Sequence, residues 1–74
     1  MLRTGDSGSD VAELQARLDR LIAPTWIAVT GVFDTRTADA VAYAQQLLHV
    51  TGDAPGVFGP HTYAALMPLT QPAA

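Results

Sequence analysis

The sequence predicts an all-α protein with three short helices, and three observations lead to this fold class. Apolar residues recur with the 3.6-residue period of a helix in two long stretches. A Gly-Val-Phe corner that leads into a helix start occurs twice, from Gly31 and from Gly56, at an offset of 25 residues. The chain has 74 residues and no cysteine, which leaves room for one core and no disulfide to support it. We expect a single domain over residues 1–74, with its core in residues 2–66 and a proline-containing tail in residues 67–74.

The first helix is expected from about Asp10 to Ile22, after an N-terminal loop. Ser9 is a suitable N-cap because its hydroxyl can accept a hydrogen bond from the first turn. Proline at position 24 ends the helix, since the residue before a proline is pushed out of the helical region. Arg17 and Arg20 are expected on the solvent side of this helix. The apolar stripe that faces the core consists of Val11, Leu14, Leu18, Leu21 and Ile22.

The second helix is expected from about Thr35 to Val50, with Asp34 as its N-cap. Gly52 is well suited to the left-handed residue that follows a helix C-terminus, so Thr51-Gly52 is the expected end. Small residues on its inner stripe would let a neighbouring helix approach closely. That stripe consists of Thr37, Ala40, Val41, Ala44, Leu47 and Leu48.

The third helix is expected over Pro60–Leu66, with Gly59 as N-cap and proline in the first turn, where its missing N–H costs nothing. Pro68 and Pro72 make the tail non-helical apart from a possible one-turn segment. The two corners supply the apolar anchors Phe33 and Phe58. Two copies are too few for a solenoid, so a small helical domain that docks both corners into one core is the better interpretation.

Composition excludes several classes of function. The formal charge is −3 and no basic stripe is present, which argues against nucleic acid or an anionic membrane as a partner. No apolar run approaches the roughly 20 residues of a membrane span. The N-terminus lacks the apolar segment of a signal peptide. We therefore expect that, if the target is extracellular, this chain is a module of something larger or leaves by another route.

Three motifs stand in order between Leu2 and Leu66. They read Leu2-x-x-Gly5-x-x-Gly8-x-x-Val11-x-x-Leu14-Gln15-x-x-Leu18, Gly31-Val32-Phe33-x-x-x-Thr37-x-x-Ala40-Val41-x-x-x-Gln45 and Gly56-Val57-Phe58-Gly59-Pro60-x-Thr62-Tyr63-x-Ala65-Leu66. Together they resemble the bacterial peptidoglycan-binding domain, a three-helix module attached to many cell-wall hydrolases. The chain departs from the usual pattern at Asp34-Thr35, where Gly-Pro is common, and at Ala44, where an aromatic is common. The second departure leaves either a smaller core or a space for Tyr43.

The resemblance implies that Gln15 lies inside the domain and bonds to loop backbone. A buried polar group without a partner costs about 1–3 kcal/mol, so such a residue must be paired. We therefore assign Gln15, Thr37 and Thr62, together with Phe33 and Phe58, to the turns and the core rather than to ligand contacts.

Aromatic and amide side chains outside the core stripes are the candidate ligand contacts. An aromatic ring can stack on the apolar face of a sugar while its polar tip makes a hydrogen bond. Arginine and amide side chains add recognition of carboxylate and amide groups. The candidates are Trp26, Tyr43, Tyr63, Arg36 and Gln46. For Trp26 the alternative is that the ring simply covers the open end of the core.

No arrangement of residues indicates catalysis, a cofactor or a metal. The chain has no nucleophile elbow, and Asp34 and Asp39 are better explained as a helix cap and a solvated helix face than as a catalytic pair. His49 and His61 lack a metal-ligand partner one helical turn away, so solvated histidines are expected.

The resemblance implies a non-catalytic module that binds the glycan or stem peptide of peptidoglycan, attached to or accompanying hydrolases such as endolysins. Such a module would act outside the cell, at the cell wall. The alternative is a structural subunit of a phage virion, a capsid decoration or tail protein, whose partner is a larger assembly such as a capsid. A linker or interaction domain inside a larger enzyme is a third possibility.

Overall fold

The computed structural model describes residues 1–22 and 28–70. Their helices are α1 (Ser9–Leu21), α2 (Thr35–Leu47) and α3 (Pro60–Leu66), and a 3-10 turn over Met67–Leu69 follows α3 directly. Over these two ranges the extended chain is limited to isolated bridges, which confirms the all-α, three-helix prediction. None of the helices in this part of the chain is long and apolar enough to cross a membrane.

The start of α1 is set by tertiary pairing rather than by a capping side chain. Gly8 occupies the N-cap position and has no side chain that could cap the helix. Ser9 is the first helical residue, so the prediction that Ser9 caps α1 was wrong. The Gly8 N–H instead donates to the carbonyl of Gly31 at 2.8 Å. The first corner therefore decides where α1 begins.

The end of α2 also differs from the prediction. The helix stops at Leu47, and the left-handed residue that follows its C-cap is His49, with φ 56°; Gly52 also has a positive φ, 104°, but lies three residues farther along. The N–H of Val50 donates to the carbonyl of Gln45 at 2.8 Å, and the N–H of His49 donates to the carbonyl of Gln46 at 3.3 Å. This pair of bonds is a Schellman motif, in which glycine is the usual left-handed residue. The helix therefore ends before the predicted Val50, and its left-handed residue is a histidine. Residue preferences favour glycine at such a position and do not indicate this end.

Both corners dock into one core. Phe33 is 1% exposed and Phe58 is 7% exposed, and both belong to a single cluster. Ala44 is fully buried while Tyr43 remains half-exposed, so the missing aromatic is not replaced by Tyr43. The buried apolar members of the cluster are Val11, Leu14, Leu18, Phe33, Ala40, Val41, Ala44, Phe58 and Leu66.

The N-terminal segment ties the two corners together. Leu2 and Phe58 exchange both backbone hydrogen bonds, at 3.0 and 2.8 Å. Farther along, the N–H of Gly5 donates to the carbonyl of Phe33 at 3.0 Å, and the N–H of Phe33 donates to the carbonyl of Asp6 at 2.8 Å. Leu2 also packs against the core. Residues 2–8 therefore satisfy the backbone of two corners that are far apart in the sequence.

The first part of the tail is anchored to α1. Thr70 is 2% exposed, and its hydroxyl donates to the carbonyl of Leu66 at 2.8 Å. Arg20 donates to the carbonyl of Thr70 at 3.0 Å, and Arg17 lies 3.4 Å from the Thr70 hydroxyl. Arg17 and Arg20 were expected only to face solvent. Their guanidinium groups instead also contact Thr70 and so hold the first part of the tail. Pro68 lies within the 3-10 turn.

Replacing Thr70 with valine tests this anchor. Thr70→Val removes a buried hydroxyl and leaves the carbonyl of Leu66 without that donor, so we expect a loss of about 1–2 kcal/mol in the free energy of unfolding. Urea denaturation measures the loss. Thr51→Val, at an exposed loop position, is the matched control and should stay within about 0.5 kcal/mol of the wild type. Equal denaturation midpoints for the two variants would contradict the anchor.

Candidate ligand-binding surface

The amide of Gln15 closes the first corner from inside. Gln15 is 1% exposed, and its Oε1 accepts hydrogen bonds from the N–H groups of Thr30 and Gly31, at 2.8 and 2.9 Å. Its Nε2 donates to the carbonyl of Val32 at 3.0 Å and to the hydroxyl of Thr37 at 2.9 Å. One side chain thus satisfies donors and acceptors of the corner and connects α1 to the first turn of α2.

The amide of Gln45 performs the same function at the second corner. Its Oε1 accepts from the N–H of Gly56 at 3.0 Å, and its Nε2 donates to the carbonyls of Ala54 and Val57, at 3.1 and 3.0 Å. The same nitrogen lies 3.0 Å from the hydroxyl of Thr62. Sequence reasoning assigned no role to Gln45. The available signal is that this glutamine directly follows a core position of α2, as Gln15 does in α1.

A carboxylate completes each cluster, but the two carboxylates come from different places in the chain. Asp34 is the N-cap of α2 and accepts from the N–H and the hydroxyl of Thr37, at 3.0 and 3.2 Å. At α3 the carboxylate belongs to Asp53, which accepts from the N–H and hydroxyl of Thr62 at 2.6 and 2.7 Å. The N-cap position there is Gly59, where a Cβ would lie 2.5 Å from Asp53 Oδ1. Glycine at this position makes room for the remote carboxylate.

The hydrogen bonds lower the pKa of both carboxyls. For Asp34, the backbone N–H of Thr37 holds the pKa below its ordinary value, against a smaller opposing effect of desolvation. For Asp53, desolvation raises the pKa, but the N–H and hydroxyl of Thr62 and the N–H of His61 together outweigh it, so the pKa is again lowered. Both side chains are therefore acceptor-only carboxylates at neutral pH, which matches their capping role.

The buried amides and threonine hydroxyls of the two corners are thus paired, whereas Arg17 Nε and Asp19 Oδ1 are buried without a hydrogen-bond partner among the described residues. Asp34 is a helix cap, Asp53 holds the start of α3, and the two buried glutamines are paired with backbone. In residues 1–22 and 28–70 no three side chains of metal-ligating type come together.

A groove between α1 and α3 forms a concavity with a volume of about 670 Å³. The lining residues of α1, and likewise those of α3, are spaced three or four apart, so each set lies on one side of its helix. These two sides face each other across the groove. The floor consists of the apolar side chains of Leu2, Leu14, Phe58 and Met67, which belong to or pack against the core. The walls are formed by Asp10, Glu13, Arg17, Pro60 and Tyr63.

Tyr63 is the candidate contact that lies in this groove. The residue is 56% exposed, and its ring packs against Phe58 at a centroid distance of 6.0 Å and an angle of 55°. On the opposite wall the Glu13 carboxylate lies 3.5 Å from the Arg17 guanidinium. An exposed phenol, an apolar floor and carboxylates therefore share one concave surface.

Three other candidates lie on the exposed face of α2. Arg36, Tyr43 and Gln46 are all exposed and follow the i, i+7, i+10 spacing that places residues on one side of a helix. Arg36 borders a shallow hollow with Thr35 and Asp39. These side chains form a surface separate from the groove. Trp26, the fifth candidate, lies outside the described residues.

Comparison with known proteins is consistent with this architecture. The model of a family described as a putative peptidoglycan binding domain matches residues 7–66, so the chain belongs to that family. Among solved structures, the crystal structure of the Burkholderia AP3 phage endolysin is similar, with a TM-score of 0.76 and 35% sequence identity. The match covers 88% of this chain and 24% of the endolysin chain, so this chain spans about a quarter of that protein's length.

The comparison with curated proteins gave no match. The family match agrees with the peptidoglycan-binding pattern of the sequence, and the similar solved structure is that of a phage endolysin. They give no support to the alternative of a virion structural subunit.

Adjacent glutamines on α2 provide a test of the buried amides. Gln45→Leu removes the partner of the Gly56 N–H and of two carbonyls, and each unpaired buried group costs about 1–3 kcal/mol. We expect a loss of about 3 kcal/mol or more, measured by chemical denaturation. Gln46→Leu, the exposed neighbour, should change stability by less than about 0.5 kcal/mol. Similar stability of the two variants would show that the Gln45 amide does not hold the corner.

Stability should fall in acid because of the two capping carboxyls. Their pKa values are lower in the folded state than in the unfolded chain, so their stabilising contribution is complete above about pH 4, the unfolded value. It is lost as the pH falls through the folded pKa, because the unfolded state then binds more protons. Urea midpoints from pH 6 to pH 3 should drop less in Asp53→Asn than in the wild type. Asp39→Asn, on the exposed face of α2, is the control and should keep the wild-type slope.

Proposed function

We propose that this chain is a non-catalytic module that binds bacterial cell-wall peptidoglycan. The observation that carries the proposal is the family match over residues 7–66. The domain architecture supports it, because the interior polar groups are used to hold the two corners and the exposed aromatic and polar groups lie on the outside. The module would act at the cell wall.

The proposed contacts are exposed aromatic, amide and guanidinium side chains. Tyr63 would contribute from the groove, and the exposed face of α2 would contribute Arg36, Tyr43 and Gln46. Trp26 is the fifth proposed contact, from the connector between α1 and α2. Aromatic rings of this kind supply a large contact area with a polar tip, which suits a ligand with both apolar and hydrogen-bonding faces.

The physical benefit of such a module is local concentration. A hydrolase or other enzyme linked to it would bind its polymeric substrate in two places, and the second contact would become intramolecular. A module of this kind need not bind tightly. A modest affinity repeated along a polymer is enough to keep an attached partner at the wall.

Co-sedimentation with purified, protein-free peptidoglycan sacculi tests the function. The folded chain should pellet with sacculi in a saturable manner, and an unrelated acidic protein of similar size should remain in the supernatant. The turbidity of the suspension should stay constant during the incubation, because a binding module cleaves nothing. A chain that stays in the supernatant at every sacculus concentration would refute the binding function, and a fall in turbidity would refute the non-catalytic assignment.

A further inference from the structure

We infer that the groove between α1 and α3 is the contact surface for the stem peptide of peptidoglycan, and that its acidic wall selects peptides with a free amino group. The inference rests on the proposed function and adds a location and a chemical class of ligand to it. Peptidoglycan offers two kinds of surface, a glycan strand rich in hydroxyls and a short peptide of small residues.

The floor of the groove favours the peptide over the glycan. Leu14 and Phe58 are only 2% and 7% exposed, so the apolar surface that a ligand can touch on the floor comes mainly from the partly buried Leu2 and Met67. A sugar could stack on the Tyr63 ring, but a hydroxyl directed at Leu2 or Met67 would lose water without gaining a partner, which costs free energy. The methyl groups of alanine-type side chains meet the same floor without that cost. The volume of about 670 Å³ lies within the range of small-ligand sites.

The walls of the groove determine the preferred charge. Asp10 and Glu13 lie one helical turn apart on α1, and both are exposed, with the Glu13 side chain 66% accessible. Arg17 is also in the wall, but its side chain is only 15% exposed and its guanidinium is directed to Glu13 and to Thr70. Met1 also lines the groove and adds no side-chain charge, so the side-chain charge that the groove presents to solvent is carried mainly by the carboxylates of Asp10 and Glu13, which complement an ammonium group.

Tyr63 forms the facing wall. Its ring is held against Phe58 at 6.0 Å, so the phenol is supported by the core while more than half of the residue remains accessible. A peptide lying in the groove would pack one side on this ring and place its amino group toward α1. Peptides whose amine is already joined in a cross-link would lack the ammonium and bind less well.

Titration calorimetry with soluble fragments tests the inference. The probes are a stem peptide with a free diamino-acid amine, the same peptide with that amine acetylated, and a peptide-free glycan oligomer. The wild-type chain should bind the free-amine peptide about three- to fivefold more tightly than the acetylated one, as expected of an exposed ion pair. Glu13→Gln should remove this difference, and Asp39→Asn, which removes the same charge on α2, should retain it.

An exposed apolar residue of α2 provides a control for Tyr63. Tyr63→Ala should weaken binding of the free-amine peptide about tenfold, whereas Leu47→Ala, at an exposed position of α2 outside the groove and outside the proposed contacts, should leave it unchanged. Circular dichroism and a thermal melt verify that each variant is folded. If the Tyr63→Ala chain loses its fold, Glu13→Gln still decides the question, because that substitution is at an exposed position.

The groove assignment and the peptidoglycan function fail in different ways. Binding to the glycan oligomer alone, or unchanged peptide binding in a folded Tyr63→Ala chain, would overturn the groove while the chain still sediments with sacculi. The role of the acidic wall would be overturned if the wild type bound the free-amine and the acetylated peptide equally well. It would also be overturned if Glu13→Gln kept the wild-type preference for the free-amine peptide. Failure of the wild-type chain to sediment with sacculi would overturn the function itself.

Discussion

The fold depends on two buried glutamine amides that pair with the backbone of the two Gly-Val-Phe corners. A corner that turns inside a small domain exposes its own N–H and C=O groups to an apolar interior, and these groups need partners. Gly31 and Gly56 have φ values of 78° and 79°, which glycine adopts without strain, and each directs its N–H to a glutamine Oε1. An amide can donate and accept at once, so one side chain satisfies both kinds of group.

This arrangement determines where function can reside. The two amides and the hydroxyls of Thr37 and Thr62 are buried and bond to backbone, to one another or to the capping carboxylates, so they are not presented to a ligand. The same core that surrounds the amides forms the floor of the groove through Leu14 and Phe58. A ligand would therefore meet a floor that is already fixed by packing, with little ordering needed on the protein side.

The two halves of the domain reach the same geometry by different sequences. In the first half Asp34 is both the helix cap and the partner of Thr37, three residues away. In the second half Gly59 is the cap, and the partner of Thr62 is Asp53, nine residues earlier. A repeat detected by aligning the two corners identifies Thr37 with Thr62 but does not reveal the second carboxylate, because it lies outside the aligned motif.

The sequence alone determined the fold class, the three helices, the shared core of Phe33 and Phe58 and the exposed candidates on α2, because periodicity and recurring corner motifs are local signals. Only the tertiary structure decided the start of α1, the end of α2, the pairing of Gln45 and the anchoring of Thr70 by two arginines. It also created the groove, whose lining comes from the N-terminal segment, α1, the second corner and α3. These features depend on contacts between residues far apart in the chain, and no local pattern records which distant groups will meet.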